Sequence, residues 1–402
     1  MQLSDFDYPL PPERIAQEPL PYRDHAKLLF YNKGNISDHI FYELPQILPQ
    51  DSFLVFNNTK VIPARLLLQK KSGAWIEIFL LEPLHPSTLV ATAMQAHKQC
   101  VWECMIGNKK RFKEPIFTEI QIQKQPILLK VSLQAENQVV FEWDNENISF
   151  AEILEQLGKI PLPPYIKREA NPQDKERYQT IFAQKEGAVA APTASLHFTE
   201  KTFQDLQLKS IPYDFLTLHV GAGTFQPIKV ANFQEHTMHS ERLMVSLSNI
   251  ENLINNIHKT IISVGTTSMR TLESLYWFGT EILLRKAQKQ EVSPILQVKQ
   301  NTPYEIPTSK HPPLQEALQA IYALMQEHQL NELQGSTEIY IYPSYNFKVC
   351  KGLITNFHMP QTTLILLIAA FVGEDWRKIY QHALQNDYRF LSYGDSSLLL
   401  PK

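Results

Sequence analysis

Apolar runs of strand length alternate with helix-period segments over most of the chain, a pattern typical of an α/β domain. Residues 214–220 and 260–264 are predicted as buried strands, and the second runs directly into a predicted helix at 268–277. Residues 352–354 and 364–371 repeat this strand–loop–helix order. The sheet is therefore predicted to be largely parallel.

Ligands of such sheets bind beyond the carboxyl ends of the strands. The loops that begin at His219, Gly265 and Thr355 follow predicted strands in this way. They are the first candidates for a functional site.

A different pattern interrupts the alternation. Short β-rich runs at even spacing lie at 75–81, 88–94, 101–106, 118–123, 127–133 and 139–143. Such runs favour a small closed barrel or sandwich, because closure removes exposed strand edges.

The fold class that follows is an α/β sandwich with a mixed, mostly parallel sheet, interrupted by an inserted β-barrel. We predict that residues 1–60 and 149–402 form the α/β domain and that residues 61–148 form the barrel domain. Within residues 279–336, the stretches 285–291 and 302–313 are polar and proline-rich, and an amphipathic helix is predicted around 314–328. We predict that 279–336 is a peripheral elaboration.

Composition narrows the function classes. The chain has 402 residues, of which 44% are hydrophobic and 20% charged, so it can bury a sizeable core and is not a disordered protein. The formal net charge of -3 means that any nucleic acid must bind to a local basic patch. Three cysteines form no disulfide framework, and the longest apolar run, 364–372, is too short to cross a bilayer, which needs about 20 residues. We expect a cytoplasmic protein without membrane contact.

Two glycine loops carry candidate binding groups. Gly221, Gly223 and Thr224 follow a strand, where glycines let backbone amides approach ligand oxygens; a tight turn is the alternative interpretation. Gly265, Thr266, Thr267 and Arg270 lead from a strand into a helix, a favourable place for a carboxylate or phosphate. Ordinary capping by a threonine is equally compatible with this second loop.

Polar side chains of two further segments fit substrate binding and proton transfer. Thr193, Ser195 and His197 occupy alternate positions and would share one face if the chain is extended there, although His197 also fits a core position. His239 and Glu241 form a possible proton-transfer pair. No cysteine or further histidine stands at metal-ligand spacing, so we expect no metal.

A basic and aromatic segment follows a proline-rich stretch. Its cations and rings are those of a surface that neutralises phosphates and stacks bases: Tyr165, Lys167, Arg168, Arg177 and Tyr178. From the residues alone, the chain is an α/β protein with an oxygen- or anion-binding loop set and a candidate RNA surface.

The motifs together resemble those of the S-adenosylmethionine:tRNA ribosyltransferase-isomerase family of queuosine biosynthesis. The resemblance rests on segments in the family's order along nearly the whole chain outside 279–336: 5–12, 15–19, 55–65, 161–168, 176–180, 187–199, 216–221, 238–241, 264–274, 355–360 and 393–395.

The resemblance implies an α/β fold with an inserted β-barrel and a transferase reaction. The ribosyl portion of S-adenosylmethionine is transferred to the aminomethyl group of a 7-deazaguanine (preQ1) in tRNA and rearranged to an epoxycyclopentane, which gives epoxyqueuosine and releases adenine and methionine. No cofactor beyond this co-substrate is implied, and we expect a monomer.

Roles for individual residues follow as hypotheses. A base is needed at the carbon next to the sulfonium, and His239 with Glu241, or His219, is predicted to supply it. The threonine, serine and glycine loops would hold the nucleoside, and Arg65 joins the predicted RNA contacts through the 55–65 motif.

Three positions depart from the family pattern, which usually has an aspartate where this chain has Asn58, an arginine where it has Lys60 and a glycine where it has Ser195. A repurposed paralogue or a non-catalytic RNA-binding protein on the same fold is therefore the alternative. A methyltransferase is a further rival, but the glycine-rich loop that most such enzymes carry near their first strand is missing.

Overall fold

A computed structural model describes residues 2–221, 228 and 230–401. Helices flank both faces of a ten-stranded mixed sheet, and a second, curled antiparallel sheet is inserted between the third and thirteenth strands. The strands, in chain order, are β1 (Lys27–Asn32), β2 (Asn35–Ile40), β3 (Ser52–Asn57), β4 (Thr59–Val61), β5 (Arg65–Gln69), β6 (Trp75–His85), β7 (Gln99–Gly107), β8 (Ile116–Ile122), β9 (Gln125–Ala135), β10 (Gln138–Trp143), β11 (Gly158–Lys159), β12 (Lys185–Ala188), β13 (Tyr213–His219), β14 (Glu241–Ser246), β15 (Thr260–Val264), β16 (Leu296–Val298), β17 (Glu332–Thr337), β18 (Gly352–Asn356) and β19 (Ser396–Leu400).

The helices are mostly short, with one long exception in the middle of the chain. They are α1 (Leu44–Ile47), α2 (Val90–Met94), α3 (Phe150–Leu157), α4 (Asp174–Arg177), α5 (Glu200–Leu208), α6 (Leu247–Asn255), α7 (Thr266–Ala287), α8 (Thr302–Glu305), α9 (Leu314–Glu327), α10 (Thr363–Val372) and α11 (Asp375–Gln385). Within the described part of the chain, none of them is both long and apolar enough to span a bilayer.

The large sheet has the order β16-β17-β14-β13-β3-β15-β18-β19-β1-β2. Its four central strands, β13, β3, β15 and β18, run parallel to one another. Their carboxyl ends therefore meet at one edge of the sheet, as predicted for the loops after His219, Gly265 and Thr355.

Side chains of the central strands alternate between two cores. In β3, Phe53 and Val55 join the core that contains α7, α9, α10 and α11, whereas Leu54 and Phe56 join the core beside α1 and α5. Successive side chains of a strand point to opposite faces of the sheet, and both faces are buried here. This explains why the strands are continuously apolar in sequence. The predicted α/β sandwich is confirmed.

The second sheet has the order β11-β5-β6-β7-β10-β9-β8 and is antiparallel throughout. Its edge strands β11 and β8 do not pair with each other among the described residues, so the predicted closed barrel is a curled half-barrel. Cys100 and Cys104 are buried in β7, as small apolar residues of its core.

One predicted strand of this region is a helix. Residues 90–94 form α2, and Ala93 and Met94 pack into the core of the half-barrel. Alanine and methionine are good helix formers, and this local preference outweighs the β-branched residues nearby. At the other end, α3 contributes Phe150, Ile153 and Leu154 to the same core. The domain bounds 61–148 stay a prediction.

The segment 279–336 is not peripheral, and this prediction is corrected. β17 pairs with β14, and β16 pairs with β17, so both strands extend the large sheet. α9 packs on α7 at a close crossing, where a Cβ on Gly279 would lie 2.2 Å from the carbonyl oxygen of Ala317. The helix predicted around 314–328 is present as α9, and its apolar face, including Leu318 and Ile321, packs into the core.

Candidate active site

A cleft opens at the carboxyl ends of β13, β15 and β18. It has a cavity volume of ≈ 100 Å³, or ≈ 790 Å³ of empty space when its open mouth is included. Its lining combines small, hydroxyl-bearing and apolar residues: Tyr165, Ala190, Ala191, Pro192, Thr193, Ala194, Val220, Gly265, Thr266, Thr267, Thr355, Asn356, His358, Met359, Thr362, Leu364, Leu391 and Ser392. None of these described residues is an aspartate, glutamate, lysine or arginine.

Gly265 turns the chain from β15 into α7 on one wall of the cleft. Its φ of 91° lies in the left-handed region that favours glycine, and its N–H donates to the carbonyl of Ile354 at 2.8 Å. Thr266 and Thr267 therefore stand at the first turn of a 22-residue helix, where backbone N–H groups lack intrahelical partners. This wall can bind a carboxylate.

A second part of the lining, in contact with Gly265, is a 3-10 turn, Thr193–Ser195, which replaces the extended chain considered for this segment. The Thr193 hydroxyl lines the cleft and donates to Oδ1 of Asn356 at 2.9 Å. Ser195 is buried, and its hydroxyl has no hydrogen-bond partner among the described residues. His197 lines a different cavity. The turn thus separates three side chains that an extended chain would place together.

His358 is a site residue that the sequence reasoning did not single out. Its Nε2 lies 3.0 Å from the hydroxyl of Thr355, and its backbone N–H donates to the Tyr380 hydroxyl at 3.1 Å. Burial lowers the pKa of its imidazole to about 3, so the ring is neutral near pH 7. The sequence could have identified it, because the predicted strand 352–354 places the loop that begins at Thr355, and with it His358, at the ligand-binding edge of the sheet.

Tyr165 lines the mouth of the cleft, where its hydroxyl and that of Ser392 are 2.6 Å apart. Of the six predicted RNA contacts, Tyr165 is the one that reaches this cleft. Its ring is half-buried and packs against two of the hydrophobic cores.

The predicted proton-transfer pair belongs to a buried ionic cluster outside the cleft lining. Nε2 of His239 lies 3.4 Å from Oε1 of Glu241, and Nη1 of Arg270 donates to Oε2 of the same carboxylate. Arg270 also donates from Nε to the carbonyl of Ile339 at 3.3 Å. The carboxylate clamp of Arg270 stays a prediction: Nη1 is paired with Glu241, whereas Nη2 has no hydrogen-bond partner among the described residues.

His219 lies next to Val220 of the cleft but faces a neighbouring groove. Its Nδ1 is 2.8 Å from the Thr59 hydroxyl, and its ring packs against Gly187, where a Cβ would lie 2.6 Å away. Burial, and then the charges of Arg242 and Lys185, lower its pKa to about 4. Gly221 is half-buried in the loop that follows, whereas Gly223 and Thr224 lie outside the described residues.

The predicted RNA residues divide into accessible and internally paired groups. Lys167 is exposed and Arg65 is half-exposed beside Glu77, which pairs with its guanidinium. Arg168 is bound by Asp174, at 2.7 and 2.8 Å to the two carboxylate oxygens. Tyr178 is fully buried, so its predicted stacking on a base is corrected to a packing role.

Arg177 lies elsewhere, in the small cavity that His197 also lines. No group of three histidine, cysteine, aspartate or glutamate side chains suited to a metal ion occurs among residues 2–221, 228 and 230–401.

Comparison with known proteins identifies relatives along the whole chain. The family model described as "Queuosine biosynthesis protein" matches residues 3–399. A protein of Halothermothrix orenii named S-adenosylmethionine:tRNA ribosyltransferase-isomerase is 36% identical over 411 residues, with 100% of each chain covered. The Desulfitobacterium hafniense protein of the same name is 37% identical, again with 100% of each chain covered.

A crystal structure of S-adenosylmethionine tRNA ribosyltransferase from Thermotoga maritima is also similar. It is 26% identical, covers 99% of this chain and 100% of its own, and has a TM-score of 0.47.

Proposed function

The chain belongs to the queuosine biosynthesis protein family, and we propose that it is an S-adenosylmethionine:tRNA ribosyltransferase-isomerase. It transfers and isomerises the ribosyl portion of S-adenosylmethionine onto the aminomethyl group of preQ1 in tRNA, with release of adenine and methionine. A purely RNA-binding role on this fold is less well supported, because the relatives that match the full chain carry the enzyme's name.

The uncharged cleft is the observation that carries this proposal. S-adenosylmethionine bears a positive sulfonium, which a lysine or arginine in the lining would repel. The described lining has none, and burial keeps its histidine, His358, neutral. Threonine hydroxyls and the Asn356 amide supply hydrogen bonds to the ribose without adding charge.

The start of α7 suits the methionine carboxylate of the same molecule. Unpaired N–H groups and the helix dipole favour a negative charge at Thr266 and Thr267. This leaves the ribose between that wall and the hydroxyl of Thr193, whose bond to Asn356 fixes its position. The sulfonium then lies over uncharged side chains.

We propose that His358 supplies the imidazole that contacts the substrate in the cleft. Its Nε2 is held by Thr355 and its backbone by Tyr380, so the ring is fixed before substrate binds. A neutral ring can hydrogen-bond to the ribose or to the incoming amine without repelling the sulfonium. His358 therefore positions substrate in this scheme.

The base that removes the proton beside the sulfonium remains the prediction made for His219 or for His239 with Glu241. Of the two, His219 is adjacent in sequence to Val220 of the cleft wall, although its ring faces the neighbouring groove. The carboxylate of Glu241 is already paired with the guanidinium of Arg270.

On the RNA side, the extruded preQ1 nucleotide stacks on Tyr165 at the mouth of the cleft, and Lys167 neutralises a nearby phosphate. The reaction needs no further cofactor in this scheme, and the three buried, unpaired cysteines suit the reducing cytoplasm.

Product analysis tests the proposal directly. Wild-type protein is incubated with S-adenosylmethionine and preQ1-containing tRNA, and the small molecules are separated by chromatography. Release of adenine and methionine is expected. Formation of S-adenosylhomocysteine instead would identify a methyltransferase, and no turnover with intact RNA binding would favour the non-catalytic alternative.

A further inference from the structure

A second, smaller cavity lies beside the cleft, across Ser392, which lines both. Its cavity volume is ≈ 20 Å³, or ≈ 280 Å³ of empty space when its open side is included. Four basic side chains line it: Arg23, Arg177, His197 and Arg389. None of these contributes to the lining of the first cleft.

Three of these side chains leave a buried nitrogen without a hydrogen bond among the described residues. The atoms are Nε of Arg177, Nη2 of Arg389 and Nε2 of His197. His197 is only 6% exposed, and its Nδ1, 3.1 Å from the Arg23 carbonyl, has its partner within the protein. A buried polar group without a partner costs about 1–3 kcal/mol, and a charged one costs more. Three such atoms on residues that line one cavity indicate a ligand that accepts hydrogen bonds.

Two of the three arginines have no ion-pair partner among the described residues. Arg23 bonds only to the carbonyls of Gln179, Leu196 and Glu176, and Arg177 only to those of Pro21 and Leu20. Neither makes an ion pair within the described residues.

Arg389 has a carboxylate neighbour, but a distant one. Its Nε is 3.9 Å from Oδ1 of Asp395. That carboxylate also accepts backbone N–H groups of Lys27 and Arg389, at 2.9 and 2.7 Å. Burial and the like charge of Arg177 lower the pKa of Arg23, because both disfavour its positive charge. An anion bound here would offset the repulsion between the two guanidinium groups.

We propose that the cavity of Arg23, Arg177, His197 and Arg389 is an oxyanion subsite that binds one backbone phosphate of the tRNA substrate. The inference rests on the proposed function, because it supplies the RNA. The nucleotide that enters the cleft carries a phosphate on either side, and a cavity that shares Ser392 with the cleft is within reach of one of them. Guanidinium groups are the preferred donors to phosphate oxygens.

The carboxylate of S-adenosylmethionine is the other oxyanion that the reaction brings. The start of α7 already offers it a place within the cleft. The two anions predict different effects of an arginine substitution. If the cavity binds a tRNA phosphate, the variant loses affinity for RNA; if it binds the carboxylate, the variant loses affinity for S-adenosylmethionine.

The first test compares Arg177→Gln and Arg389→Gln with wild type, using a preQ1-containing anticodon stem-loop and S-adenosylmethionine as separate ligands in calorimetry. Each variant is expected to bind the RNA about tenfold more weakly or worse, with the slope of log K against log salt reduced by about 1. Affinity for S-adenosylmethionine should stay unchanged. Arg285→Gln removes the same charge from the exposed end of α7 and is the matched control.

A second measurement leaves the protein intact and so does not depend on variant folding. Neutral methylphosphonates replace single phosphates beside preQ1 in the stem-loop. One position should weaken binding to wild type about tenfold and have no further effect on Arg177→Gln. Unchanged RNA affinity in both arginine variants, or weaker binding of S-adenosylmethionine alone, would overturn the phosphate assignment. Adenine release by wild type, measured in parallel, separates this failure from failure of the proposed function.

Discussion

The guanidinium of Arg270 donates to the carboxylate of Glu241, and both side chains are buried. The pair joins the first turns of α7 to the start of β14, and His239 lies on the other carboxylate oxygen. Two residues that the sequence assigned to different tasks, a carboxylate clamp and a proton relay, thus form one ionic contact. Its first consequence is for stability.

Replacing Arg270 by methionine is expected to lower the free energy of unfolding by about 3–5 kcal/mol, because the buried carboxylate loses its guanidinium partner. Urea denaturation measures the loss. Arg242→Met, on the strand that carries Glu241, is the control: its side chain is 35% exposed and its ion pair with Glu82 should contribute less than about 1 kcal/mol. Equal losses in the two variants would contradict the structural role of the buried pair.

His358→Ala is expected to lower kcat/KM for S-adenosylmethionine about 10²-fold, the usual effect of removing one positioned hydrogen-bonding group from a reacting site. The adenine-release assay measures it. His382→Ala removes an imidazole that pairs with Asp38 on the protein surface, and its rate should match wild type. A His358→Ala rate within a factor of two of wild type would remove His358 from the site.

The pH dependence of the rate tests His219. A base works only when deprotonated, and burial and neighbouring cations lower the pKa of His219 to about 4. If His219 is the base, it is therefore active throughout pH 6–8 and loses activity only as the pH falls towards 4. His219→Ala should then cost about 10²–10⁴-fold in kcat.

A rate that falls on the acid side with a midpoint near 6.5 would instead indicate a histidine of ordinary pKa. Unchanged turnover in His219→Ala would exclude it as the base, and the same substitution at His239 then decides the other predicted base.

The large elements and the edge of the sheet that carries the site could be predicted from sequence because they depend on local pattern. Thr260–Val264 is a run of apolar and β-branched residues that ends at a glycine, and its strand bounds match the prediction. The rule that ligands bind beyond parallel strands then led to the Gly265 and Thr355 loops, which both line the cleft.

Side-chain partners could not be predicted in the same way, since they depend on contacts between distant segments. Arg168 and Tyr178 have the composition of an RNA surface, yet Asp174 binds the first and the core buries the second. Arg23 and Arg177 are 154 positions apart and meet only in the folded chain.

The close crossing of α7 and α9 makes a further prediction. Gly279→Ala would gain about 1 kcal/mol of helix propensity, but its Cβ would lie 2.2 Å from the carbonyl oxygen of Ala317. Because that atom is backbone, the helices must separate, and we expect a net loss of about 1–3 kcal/mol in thermal or urea unfolding. In Gly107→Ala the nearest neighbours of the new Cβ are the Cβ, Oε2 and backbone oxygen of Glu77, at 3.1, 3.4 and 3.8 Å, so this variant should lose less. A stabilised Gly279→Ala protein would show that 279–336 packs more loosely than described.

Gly265 connects backbone conformation to the site. A Cβ there would have ordinary contacts, 3.5 Å from the Thr267 hydroxyl and 3.6 Å from the Cβ of Ala194, so the cost of Gly265→Ala comes from its φ of 91°. That cost is about 1–2 kcal/mol, and relief of it would move the amides at the start of α7.

We therefore expect Gly265→Ala to lose about 1–2 kcal/mol of stability and to bind S-adenosylmethionine several-fold more weakly in calorimetry. Gly34→Ala is a matched control, because Gly34 has a φ of 98° in the turn between β1 and β2 and its nearest neighbour would be 3.9 Å away. It should lose similar stability and keep full affinity for S-adenosylmethionine. Equal affinity in both variants would mean that the carboxylate does not bind at the start of α7.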